Sequence, residues 1–148
     1  MNTNRRRLLG VALGGLMMLL ASTPALASDN VRLKVSVVHA TKAPAKGNPG
    51  LKRRVLRSLK KTFAGYASFQ ELANHKLKFA QGGKSSVKLP NGKTAVVTYK
   101  GKKGAQHLIN LAIDGVVVDL RSHARRLFYQ AGLKHKNGIL ILAFYLKE

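Results

Sequence analysis

From Val31 onward the chain alternates. Val31, Leu33, Val35 and Val37 are separated by Arg32, Lys34 and Ser36, a period of two that predicts a strand with one basic face. Thr41 to Gly50 then holds two prolines and two glycines and reads as a loop. Asn48-Pro49 closes that loop as a helix start, with Asn as N-cap and Pro at the first helical position.

The period then changes to that of a helix. Leu51, Val55, Leu56, Leu59 and Phe63 fall within about 140° of arc at 100° per residue. Lys52 lies at the border of that stripe, and Arg53, Arg54, Arg57, Lys60 and Lys61 cover the other side. Gly65 is the expected stop. No acid offsets these cations. Arg53/Arg57 and Arg57/Lys61 are like-charged at i,i+4, each unfavourable by a few tenths of a kcal/mol. Cations at a helix start also oppose its dipole. Burial of the apolar stripe must therefore hold this helix.

After Ala67 the period returns to two. Strands are predicted over 68–79, with Leu77 and Phe79 inward, and over 86–89, 94–100, 106–113, 116–122, 127–133 and 139–146. Asn91-Gly92, Asp114-Gly115 and Asn137-Gly138 mark hairpin turns, and Gly101-Lys102-Lys103-Gly104 reads as a loop. Connections this short exclude parallel crossovers, so the sheet is antiparallel. Ile139 to Tyr145 is apolar on both sides and belongs in the centre of a sheet or under cover. The fold class is α+β, mostly β. An antiparallel meander of six to eight strands, sandwich-like or curled, is joined by one amphipathic basic helix after the first strand.

The segment before Val31 carries an address. Arg5, Arg6 and Arg7 precede a short apolar run, Leu8 to Ala21, and Ala25-Leu26-Ala27 is a small-x-small cleavage site. That is the layout of a secretory signal peptide spanning 1–27. The run is about 14 residues, short of the roughly 20 that cross a bilayer. The expected location is the periplasm or the secreted fraction, with 28–148 as a single β-rich domain. Asn4-Arg5-Arg6-Arg7-Leu8-Leu9-Gly10 resembles the twin-arginine export pattern, in which Ser or Thr precedes Arg-Arg-x-Phe-Leu-Lys. Here Asn, Leu and Gly replace three of its positions, which leaves the twin-arginine and the general routes both open.

Cysteine is absent, which excludes a disulfide framework, thiolate metal sites and a cysteine nucleophile. Charge is lopsided. Three arginines leave with the leader, so 24 Lys and Arg face five acids, a net charge near +19. A magnitude of about 2–8 already keeps a small domain soluble. The excess adds self-repulsion in the compact state.

Candidate chemistry is thin. Gln81-Gly82-Gly83-Lys84-Ser85 has the tail of a phosphate-binding loop, but Lys78 stands where its first glycine belongs. His39, His75, His107, His123 and His135 form no close ligand pair. Across the 114–115 turn His107 and His123 point to opposite faces. Only Glu71, Asp114 and Asp119 remain as candidates for paired-carboxylate work, and Asp114 is already used by its turn. No serine sits in a Gly-x-Ser-x-Gly elbow. A catalytic residue, a metal site and a cofactor are thus not expected.

The basic groups are the one strong signal. They are the helix face (Lys52, Arg53, Arg54, Arg57, Lys60, Lys61), the pair Lys102 and Lys103, and the cluster Arg121, Arg125 and Arg126 beside His123. Arg32, Lys34, Lys76, Lys78 and Lys88 add outward strand positions. Guanidinium suits bidentate contact with phosphate, sulfate or carboxylate. The expected role is non-enzymatic: an exported binding or accessory protein, peripheral rather than integral to a membrane, whose basic surface meets an anionic envelope lipid, a polysaccharide or an acidic protein. Two alternatives remain. One is a structural accessory subunit of a membrane-associated complex held by apolar contacts. The other is nucleic-acid binding, disfavoured by location, with Phe128-Tyr129 beside Arg125-Arg126 as its only stacking neighbourhood.

Overall fold

The computed structural model describes residues 30–148; the leader, its cleavage site and the twin-arginine-like stretch lie outside the described residues. The chain runs β1 (Val31–Thr41), α1 (Arg53–Thr62), β2 (Ser68–Phe79), β3 (Lys84–Lys88), β4 (Thr94–Lys103), β5 (Gln106–Ile113), β6 (Val116–His123), β7 (Leu127–His135) and β8 (Gly138–Lys147). Among the described residues, eight strands form two antiparallel four-stranded sheets, ordered β2-β1-β8-β7 and β3-β4-β5-β6. The expected mostly-β antiparallel architecture with one short helix is therefore present. The meander is confined to β3–β6. After β6 the chain returns to the first sheet, where β8 pairs with β1 from Arg32↔Lys147 to Thr41↔Gly138.

The main core lies between the sheets. Val31, Leu33, Val35 and Val37 from β1 and Leu140, Leu142, Phe144 and Leu146 from β8 share one cluster with Ala95, Val97 and Tyr99 of β4 and Ile109 and Leu111 of β5. A smaller cluster sits on the other face of the first sheet. There Leu59 of α1 packs on Val38, Ala40, Phe69 and Ile141, with Val55, Leu56 and Phe63 around it. As its sequence requires, β8 is central, and Leu140 through Phe144 are all buried.

Of three bulges, those in β2 and β7 explain how a simple alternation serves both clusters. In β2, Val37 pairs with Ala73 but Val38 pairs with Glu71, so Leu72 is the extra residue. Before it, Phe69 faces the helix; after it, Leu77 and Phe79 face the other sheet. In β4, Lys100 is skipped between Tyr99↔Ile109 and Gly101↔Leu108. In β7, Gly132 (φ +107) is skipped between Ala131↔Ile141 and Leu133↔Leu140. A single extra residue flips the faces of everything after it.

Local expectations fail where backbone chemistry competes. Asn48 does not cap the helix: its Oδ1 accepts the Gly50 N–H at 3.0 Å, and Gly50 is left-handed (φ +71). Pro49 O accepts the Glu71 N–H at 2.8 Å, which pins this turn to β2. The helix starts only at Arg53, with Lys52 as an N-cap that makes no side-chain bond. The predicted loop 101–104 is the end of β4, and the turn is Gly104-Ala105. In the last hairpin His135 pairs with Gly138, so Lys136-Asn137 is the turn, and Lys136 takes the positive φ. Gly138 is glycine for another reason: a Cβ there would collide with the Ala40 carbonyl on β1. Asp114-Gly115 behaves as expected, with both residues at positive φ.

A candidate anion-binding surface

The site begins with register. On the face of the first sheet that carries α1, Arg32 lies directly opposite Lys78 on β2 and Lys147 on β8. One row further in, Lys34 lies opposite Lys76 and Tyr145, and Tyr145 opposite Leu127 of β7. The third row is Asn74, Ser36 and Ala143, where the Asn74 amide donates to Ser36 Oγ at 3.2 Å. Five cations thus occupy two adjacent rows on three strands. Like charges directly opposite each other are destabilising.

The helix covers only the other half of this face. Its start overhangs the second and third rows, which creates a pocket of about 220 Å³. Lys34, Ser36, Leu127, Ala143 and Tyr145 line it from the sheet, and Lys52, Arg54 and Val55 from the start of the helix. The Arg54 guanidinium carbon lies 5.9 Å from the centroid of the Tyr145 ring, a cation–π contact that orients it.

Acids do not neutralise this patch. Asp114 pairs with Lys93. Asp119 accepts from Asn110 Nδ2 at 2.8 Å, and Glu71 accepts from Asn74 Nδ2 at 3.1 Å. Glu148 Oε1 takes Lys102 Nζ at 2.5 Å and His107 Nε2 at 3.1 Å. Among the described residues, no carboxylate lies within ion-pair distance of Arg32, Lys34, Lys52, Arg54, Lys76, Lys78 or Lys147.

The other expected basic residues are scattered. Arg53, Arg57, Lys60 and Lys61 stand exposed along α1, and Lys60 also borders a second pocket against the 44–49 loop. Lys102 is held by Glu148, while Lys103 is exposed at the end of β4. Arg121 is exposed on β6, an edge of the second sheet. Arg125, at φ 62, donates its backbone N–H to Leu146 O at 2.8 Å and forms the β6–β7 turn with Ala124, with the exposed Arg126 directly after it. Of the expected basic residues, only Lys34, Lys52 and Arg54 join the pocket. Lys147 and the lining residues Leu127, Ala143 and Tyr145 went unnoticed in the sequence. The signal for the rows was there in the matching Arg32-x-Lys34 and Lys76-x-Lys78 alternations, but nothing local says that these segments pair.

The stacking neighbourhood is not a platform. Phe128 stacks on Phe144 with centroids 5.1 Å apart. Tyr129 meets Phe63 edge-on at 5.6 Å and donates its hydroxyl to Ser58 Oγ at 2.6 Å. Both rings serve the packing.

His39, His107 and His135 are likewise engaged, whereas His75 Nε2 is buried without a hydrogen-bond partner among the described residues. His107 is fully buried, its Nδ1 2.9 Å from the Tyr99 hydroxyl, while His123 on the opposite face is exposed. His39 Nε2–H donates to the His135 carbonyl at 3.2 Å, and the two rings meet edge-on at 5.1 Å. Burial, then the charges of His39 and Lys136, lower the His135 pKa. Among the described residues, no group of three or more His, Cys, Asp or Glu could hold a metal ion. No protein-family model, curated protein or solved structure matches the chain.

Proposed function

We propose that this is an exported, non-enzymatic binding protein that docks a cationic surface on an anionic partner of the envelope. The reading is carried by the cross-strand rows Lys78–Arg32–Lys147 and Lys76–Lys34. Opposed like charges weaken a sheet, and the exposed positions of Arg32, Lys76, Lys78 and Lys147 would accept Thr or Ser. Their persistence beside the uncompensated start of α1 is what a polyanion-binding surface requires. Association is fast and falls steeply with salt, because screening acts on exposed charges.

The test is retention of the purified protein on immobilised polyphosphate across a salt series, beside the triple variant Arg32→Ser, Lys78→Ser and Lys147→Ser. Each cation at an anionic surface contributes about 1 kcal/mol, so the variant binds roughly a hundredfold more weakly. Equal retention of parent and variant removes the patch from the reading. No retention of either protein, even in dilute buffer, removes the reading itself.

A second reading, an accessory subunit held by apolar contacts, has its own observation. Val116 and Val117, at the start of β6, are 64% and 62% exposed beside a cleft lined by Leu111, Ile113, Val118 and Leu133. A partner held there stays bound in high salt. Val117→Lys then releases it, whereas the patch variant does not.

A further inference from the structure

We propose that the pocket under the start of α1 takes the phosphate of an anionic phospholipid, so that the cationic half of the first sheet lies on a membrane surface. This rests on the reading that the patch binds an anion, and narrows it to one class of partner.

Two features of the pocket point the same way. It brings together cations from three separate places: Lys34 on β1, Lys52 in the connection, and Arg54 in the first turn of the helix. A guanidinium between two ammonium groups matches a phosphate diester with no competing carboxylate. Leu127, Ala143, Val55 and the Tyr145 ring line it largely with carbon, and besides the cations its only polar side-chain groups are the Ser36 and Tyr145 hydroxyls. A free phosphate gains nothing from such a lining. A phospholipid does, because its glycerol and first acyl carbons follow directly on the charge.

The surroundings distinguish lipid from nucleic acid. Base stacking needs free aromatic faces among the cations. Tyr145 carries Arg54, and Phe128 and Tyr129 are packed into the clusters. Meanwhile Arg32, Lys76, Lys78 and Lys147 extend the charge sideways across β2, β1 and β8 at the strand spacing of about 4.8 Å. That is a cationic surface, spread over three strands, next to one recess. It suits a plane of headgroups in which one lipid is engaged more deeply than its neighbours.

The experiment is co-sedimentation of the protein with phosphatidylcholine vesicles, with and without phosphatidylglycerol. Ala143→Leu fills the recess without touching a charge, and Leu127→Thr roughens its lining from the edge strand should the first variant not fold. The parent pellets only with phosphatidylglycerol. Either variant pellets about tenfold more weakly, the loss of roughly two buried methylenes, while keeping the parent's retention on polyphosphate. Variants that pellet like the parent overturn the pocket and leave the polyanion reading standing. Retention on polyphosphate or DNA without vesicle binding overturns the lipid assignment, as does competition by soluble glycerol phosphate that matches phosphatidylglycerol. Failure on vesicles and polyphosphate alike overturns both readings.

Discussion

One face of the first sheet follows opposite rules in its two halves. Toward the β7–β8 turn, Val38, Ala40, Ile139 and Ile141 form an apolar patch under Leu59 of α1 and Phe63 just beyond it. Toward the other end, the same strands present Arg32, Lys34, Lys76, Lys78 and Lys147 in opposed rows, overhung only at Lys34 by the start of the helix. The helix is ten residues long and could not cover both halves, since at 1.5 Å per residue it spans about 15 Å. Which half it covers is decided by the strands: burial stabilises the apolar half, and solvation of cations keeps the other half open. The difference teaches that the basic start of α1 and the basic rows of the sheet meet at one pocket, while the other helix cations stand apart from it.

The largest effect comes from breaking the covered half. Leu59 is fully buried at the centre of the helix–sheet cluster. Leu59→Ala lowers the unfolding free energy by about 2–5 kcal/mol in urea titration. The helix has no side-chain N-cap and carries like-charged neighbours, so it has little local support once this contact is gone. A cost below about 1 kcal/mol would mean that α1 is held by something other than its apolar stripe.

The open half responds with the opposite sign. Arg32 stands between Lys78 and Lys147. Arg32→Thr removes two opposed like-charge pairs and places a good strand former in their middle. Stability rises by about 0.5–1 kcal/mol at low ionic strength, a gain that shrinks with added salt. Polyanion binding weakens by about fivefold in the same variant. Stability and binding moving in opposite directions is the mark of a functional compromise. A variant that is less stable and binds as well as the parent would show that Arg32 serves packing through its aliphatic stem.

The two halves were not equally legible. The apolar stripe of α1 could be read from spacing alone, and so could the limits of β2, Ser68 to Phe79. The central place of β8 followed from its composition. The cationic half needed pairing, and pairing is non-local: β1 meets β2 across the loop and helix, and meets β8 across nearly the whole described chain. The bulges hid a second layer. With Leu72 inserted, the odd-numbered residues of β2 serve two different cores, although their alternation in the sequence is unbroken. Lys102 shows the same effect, because the bulge at Lys100 brings it to the pair of His107 and within reach of Glu148. The Asn48-Pro49 helix start was a sound local signal that lost to a competing one, the Asx turn closed on Gly50.

Lys102 also supplies the smallest and sharpest test, because it is a cation at this end that does have its acid. The hydrogen bond from Lys102, then its charge, then the weaker contribution of His107 hold the Glu148 carboxyl below its ordinary value of 4.5, against a desolvation that acts the other way. A carboxylate whose folded pKa is depressed contributes stability above its unfolded pKa and loses it as pH falls through the folded one. Glu148→Gln therefore lowers the urea midpoint slightly at neutral pH, and that difference from the parent fades as pH drops from 4.5 downward. The effect is small because both partners are substantially exposed. The Arg32→Thr gain, by contrast, persists through this range, because no described carboxylate compensates the rows. A Glu148→Gln difference that is constant with pH would place its origin in packing, and an Arg32→Thr gain that vanishes alongside it would mean that the rows have a carboxylate partner after all.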